Sequence, residues 1–89
     1  MINENITIVN KLGLHARAAS KLVNCASQFE SEVFITRKGN RVNAKSIMGV
    51  MMLAASKGAE LELEVEGNDE QACRDGIVEL IKDRFGETE

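Results

Sequence analysis

Leu61-Glu62-Leu63-Glu64-Val65-Glu66 alternates strictly between apolar and acidic side chains. Successive side chains of a β-strand point to opposite faces, so this run has one oily face and one carboxylate face. Such a strand cannot be buried on both sides. It suits an antiparallel sheet with one face on a core and the other in water. The carboxylates are expected in solvent, with the rest of the chain covering the side of Leu61, Leu63 and Val65.

Upstream, Ser46 to Ala55 is a nearly unbroken apolar run, too long for an ordinary strand and rich in helix formers such as Met, Leu and Ala; Gly58 closes it. Before it, Glu32 to Arg37 and Arg41-Val42-Asn43 flank Lys38-Gly39-Asn40, a hairpin pattern with glycine in the turn. Ala16 to Phe29 is alanine-rich and places Ala19, Leu22, Val23 and Ala26 on one helical face. Asn5 to Asn10 alternates as a strand, and Gly13 breaks the chain between that strand and the helix. Downstream, Asp69 stands where it can cap a helix running to about Phe85, with Ile77, Leu80 and Ile81 facing inward. The tail Gly86-Glu87-Thr88-Glu89 is expected to be disordered and without functional content.

The order is therefore β-α-β-β-α-β-α. Strands and helices that each have one apolar face predict an α+β fold: a two-layer open-faced sandwich, its four-stranded antiparallel sheet covered on one side by three helices. With 89 residues, no proline and no low-complexity stretch, the chain reads as a single domain over residues 1–89.

Composition narrows the function. A net charge of −3 gives nucleic acid no general attraction. No apolar run approaches the roughly 20 residues of a membrane-spanning helix, and Met1 to Asn5 lacks the marks of a signal peptide. A cytoplasmic protein is expected. The two cysteines, Cys25 and Cys73, are far apart and lack Cys-x-x-Cys spacing, so two reduced thiols in helical apolar patterns are expected, and no metal site.

His15, the only histidine, lies where a loop becomes a helix. The first amide N–H groups of a helix, here at Ala16 and Arg17, have no partners within it. With the helix dipole they form a place for an anion beside the imidazole. Arg17 adds a planar guanidinium suited to phosphate oxygens. The positive helix end also favours the neutral imidazole, whose lone pair is nucleophilic. The same residues fit a histidine that merely begins a helix beside a solvated arginine, and local pattern alone does not choose between the two.

Gly13-Leu14-His15-Ala16-Arg17 resembles the phosphorylation motif of the HPr family, and Asn43-Ala44-Lys45-Ser46-Ile47-Met48-Gly49 resembles that family's regulatory serine motif. The resemblance covers essentially the whole chain and extends to its element order. It implies a phosphocarrier of the phosphoenolpyruvate-dependent phosphotransferase system, serving sugar transport or metabolic regulation and not acting as an independent enzyme. Enzyme I, which would use magnesium, would place a phosphoryl group on Nδ1 of His15, with Arg17 steadying it, and the carrier would pass it to IIA-type proteins. No cofactor is implied on this chain. One departure stands out: Ala18 occupies the place of the family's usual proline. Alanine loses the fixed φ that proline brings to a first helical turn but restores an amide donor, so transfer is expected to survive at an altered rate.

Ser46 can cap the helix that follows it. The resemblance adds phosphorylation there by an HPr kinase, which would set negative charge against an acidic partner. Ile47, Met48, Met51 and Met52 cannot all turn inward together with Val50 and Leu53, so a soft apolar docking patch is expected. Arg17, Lys21 and Lys45 would give it a basic rim if the two helix starts lie side by side. The carrier is expected to be monomeric.

Two other classes share the β-α-β-β-α-β pattern. An RNA-binding module needs stacking aromatics and a basic surface, whereas this chain has three Phe, no Tyr or Trp, and is acidic. A small-ligand regulatory module of the ACT type remains as the alternative, though it leaves Gly13 to Arg17 and the methionine-rich helix without a purpose.

Overall fold

The computed structural model describes residues 1–88; Glu89 lies outside them. Strands β1 (Ile2–Thr7), β2 (Glu32–Arg37), β3 (Asn40–Asn43) and β4 (Glu60–Glu66) alternate with helices α1 (Ala16–Ser27), α2 (Ile47–Met52) and α3 (Glu70–Lys82) in the expected order. The sheet order is β1-β4-β2-β3, antiparallel throughout. β4 is central, and its alternation does what the pattern demands. Leu61, Leu63 and Val65 are buried against the helices, while Glu60, Glu62 and Glu66 are exposed on the outer face.

The helices supply the other half of the core. Ala18, Ala19, Leu22, Val23 and Ala26 of α1, Val50 of α2, and Cys73, Ile77, Val78 and Ile81 of α3 are buried with Ile6, Ile8, Val33 and Ile35 of the sheet side. Burying one such Leu or Ile side chain contributes about 1.5–3 kcal/mol. Cys73 behaves as a small core residue, its thiol pushed up to about 11 chiefly by burial, and Cys25 is half-buried and shifted the same way.

Several boundaries differ from expectation, each for a physical reason. β1 runs from Ile2 to Thr7, not Asn5 to Asn10. Its inward row is interrupted by Glu4, whose carboxylate is held by Arg74 of α3 at 2.6 Å. The β2–β3 turn is the two residues Lys38 and Gly39, both at positive φ (50° and 84°), so Asn40 belongs to the strand. α2 stops at Met52 because Ala54 turns left-handed at φ 49°, and Arg37 Nη1 donates to the freed Leu53 carbonyl at 3.0 Å. Leu80 is only half-buried. Asp69 occupies the N-cap position of α3 but makes no side-chain cap bond. Its carboxylate instead accepts from the Ser31 hydroxyl and from the amides of Ser31 (3.0 Å) and Glu30 (2.9 Å), stapling the turn before α3 to the start of β2.

Candidate functional site

The loop after β1 and the start of α1 are fixed by backbone contacts. Gly13 adopts φ +69°, and a Cβ there would meet the Ala55 carbonyl oxygen at 2.4 Å. The next residue, Leu14, donates its N–H to that same oxygen at 2.8 Å. His15 follows as the N-cap of α1 in extended conformation, its carbonyl taking the Ala19 N–H at 2.8 Å and its imidazole making no cap bond. The first turn of α1 carries no acidic residue. Ala16 and Arg17 are exposed and are the first two residues of α1, so their amides have no acceptor within the helix. Ala18, one position on, is wholly buried and packs as a core residue.

An open cleft of about 360 Å³ is lined by Lys11, Leu12, His15, Arg17, Glu87 and Thr88. His15 and Arg17 meet here, as the sequence suggests, but four of the six lining residues come from the preceding loop and the C-terminal tail. The tail is ordered through Thr88, contrary to expectation. Beyond α3 the chain doubles back through Arg84, Phe85 and Gly86, all at positive φ (55°, 54° and 79°). Phe85 is buried, and Lys21 Nζ donates to its carbonyl at 2.6 Å. Glu87 is thereby carried onto the histidine: its Oε2 accepts from His15 Nε2, and its Oε1 accepts from Asn10 Nδ2 at 3.0 Å. Asn10 is fully buried and also donates to the Gly13 carbonyl at 2.8 Å. The hydrogen bonds from His15 and then Asn10 hold the Glu87 carboxyl below the usual carboxylate range.

Neither Asn10 nor Glu87 belongs to a motif in the sequence. For Asn10 a signal existed: the alternation Ile6, Ile8, Asn10 puts an amide in the inward row, where it needs polar partners. Glu87 lies 72 residues from His15 and carries no local pattern.

The other predicted residues sit apart from this cleft. Ser46 is the N-cap of α2, its hydroxyl accepting from Gly49 N–H at 3.2 Å. Lys45 Nζ donates to the Phe29 carbonyl at 2.9 Å, which ties the start of α2 to the segment just past α1. The Leu14–Ala55 bond ties the start of α1 to the segment just past α2. The two helices therefore run in roughly opposite directions, and their starts do not lie side by side. Lys45 cannot share one rim with Arg17 and Lys21 at the His15 end. Ile47, Met48, Met51 and Met52 are exposed along α2, while Val50 and Leu53 are buried.

On the outer sheet face, Phe34 is covered by the Arg41 guanidinium, 3.8 Å from the ring centroid, and is paired in register with Glu64. That is no platform for stacked bases. Among the described residues no helix is long and apolar enough to cross a membrane.

Residues 2–83 match the family model of the PTS HPr component phosphorylation site. The phosphocarrier protein HPr of Neisseria meningitidis is 54% identical over 89 residues, covering all of both chains. Among solved structures, HPr-C-His from Thermoanaerobacter tengcongensis superposes with a TM-score of 0.96 at 44% identity over the full length of both. An HPr dimer from the same organism gives 0.79 at 45% identity, covering 98% of this chain and 100% of that one. These relationships do not favour the ACT-type alternative. The chain belongs to the HPr family, the phosphocarrier component of the phosphotransferase system, and is not an independent catalyst.

Proposed function

We propose that this chain acts as one unit that takes a phosphoryl group on Nδ1 of His15 from enzyme I and hands it to IIA-type proteins. The observation that carries this is the setting of His15. It begins α1 without capping it, at an open cleft it shares with Arg17. The helix-start amides of Ala16 and Arg17 and the Arg17 guanidinium take up the phosphate oxygens, where the helix dipole favours negative charge. Nε2 already serves Glu87, so Nδ1 is the nitrogen open to the incoming group.

Partners dock on the exposed apolar flank of Ile47, Met48, Met51 and Met52, with Lys21 and Lys45 adding positive charge at opposite ends of the helix pair. Phosphorylation of Ser46 by an HPr kinase regulates that docking. A phosphate there sits at a helix start that tolerates it electrostatically, yet it repels an acidic partner face. The carrier works in the cytoplasm as a monomer and needs no cofactor or metal of its own.

The test is incubation of the purified protein with enzyme I and phosphoenolpyruvate, read by intact mass beside His15→Ala. One acid-labile, base-stable phosphate that vanishes in the variant is the expected result. Absence of phosphate with an active, cognate enzyme I would overturn the carrier assignment to His15.

A further inference from the structure

We infer that Glu87 is a positioning residue for the reacting imidazole, set in place by a C-terminal strap and a buried amide. The inference rests on His15 being the acceptor, as proposed above. A carboxylate only accepts hydrogen bonds, so the contact between Glu87 Oε2 and His15 Nε2 requires the hydrogen on Nε2. In the neutral ring the lone pair then lies on Nδ1.

The contact is built rather than incidental. Glu87 Oε1 is gripped by Asn10 Nδ2, and Asn10 is wholly buried, with Nδ2 anchored on the Gly13 carbonyl as well. One carboxylate oxygen therefore faces the ring and the other faces a fixed donor. The strap that delivers Glu87 is held on its own account. Two successive non-glycine residues, Arg84 and Phe85, sit at positive φ, a conformation that persists only where surrounding contacts impose it. Those contacts are the buried Phe85 ring, the Lys21–Phe85 carbonyl bond and the Arg84 Nη1 bond to the Thr88 carbonyl at 2.9 Å. A helix that simply ended at Lys82 would not return the chain to the start of α1.

Transfer gives this contact a use. The Nδ1 lone pair forms the new N–P bond while the bond from phosphorus to the donor atom breaks, and that electron pair leaves with the donor. No proton moves on His15. Nε2 keeps its hydrogen, and the ring becomes an N-phosphorylated imidazolium whose positive charge develops against the Glu87 carboxylate. Arg17 and Lys11 line the same cleft and face the negative charge of the incoming group, so the two charges meet opposite partners.

The experiment compares wild type with Glu87→Ala in two measurements: ring ¹⁵N chemical shifts at a pH where the imidazole is neutral, and the rate of phosphoryl acceptance from enzyme I. In wild type the Nε2–H tautomer dominates. In Glu87→Ala the tautomers mix, and acceptance falls by roughly 10–100-fold, by analogy with the loss of a carboxylate that orients a metal-ligating histidine. A variant that keeps the wild-type tautomer ratio, or the wild-type rate, overturns the inference while wild type still labels on His15. Failure of wild type itself to take phosphate overturns the acceptor assignment instead, which the ¹⁵N shifts alone would not do.

Discussion

Gly13 and Ala55 are in closer contact than any side chain would permit: a Cβ on Gly13 would stand 2.4 Å from the Ala55 carbonyl oxygen and 2.7 Å from Ser56 Cα. Gly13 also has φ +69°, which disfavours any residue with a Cβ. Gly13→Ala must push the 55–56 backbone away or turn the loop, and the Leu14–Ala55 bond goes with it. A loss of roughly 1–3 kcal/mol is expected, together with slower phosphoryl acceptance even at temperatures where the variant is fully folded, because His15 is displaced. Gly58→Ala is the control. It shares a positive φ (+89°) but meets nothing within 4 Å, so it should cost less stability and leave acceptance unchanged. Thermal unfolding and the acceptance assay, run on both variants, check the pair.

Ser46 separates a structural from a regulatory role. Its hydroxyl accepts from Gly49 N–H at 3.2 Å, so Ser46→Ala should lose about 1 kcal/mol of stability in urea titrations. Ser46→Asp keeps a capping oxygen and should hold stability within about 0.5 kcal/mol of wild type. It nevertheless sets a carboxylate beside Ile47 and Met48, so acceptance from enzyme I should slow. An Asp variant that accepts at the wild-type rate would remove the case for control at this serine.

How much of this was legible in the sequence follows from how local each cause is. The alternation in β4 and the stripe Ala19, Leu22, Val23, Ala26 in α1 are set by neighbours a few residues away, and both appear as read. His15 was placed by its position at a helix start. Contacts that span the chain left no such mark. Glu4 breaks the inward row of β1 because it faces Arg74, and this moved the expected strand three residues along. The reversal at Arg84–Gly86 has a glycine only at its last residue, so nothing announced that the tail would return to the site. The opposed directions of α1 and α2 are a tertiary fact that no local pattern encodes, and they rule out a basic rim shared by Lys45 and Arg17.

Asp69 should make stability depend on acid. Its carboxylate takes hydrogen bonds first from the Ser31 hydroxyl and then from the Glu30 and Ser31 amides, which lower its pKa in the folded state. A depressed native pKa gives stability that is fully present above the unfolded value of about 3.9 and is lost as pH falls through the native value. Asp69→Asn removes that titration. The variant should be less stable than wild type at pH 7, and the gap should narrow progressively below about pH 4. Urea unfolding at a series of pH values measures it, and a gap that stays constant down to pH 2 would show that these bonds do not depend on the charge.

The methionines of α2 offer a test in which folding and docking separate. Met48 and Met52 are 74% and 75% exposed, while Val50 between them is fully buried, so the helix is pinned by one side and bare on the other. Replacing either methionine by glutamate removes little buried surface and should leave stability within about 0.5 kcal/mol. If the bare side receives partners, the same changes strip apolar contact from the interface and add a charge that an acidic partner repels. They should raise KM for enzyme I with kcat nearly unchanged, because the patch binds the partner in the ground state and the transition state alike. Asn3→Glu adds the same charge on the outer sheet face, opposite Glu64 in register. It should leave KM alone. A rise in KM for Asn3→Glu equal to that for Met48→Glu would assign the effect to net charge and remove the α2 flank as the docking surface.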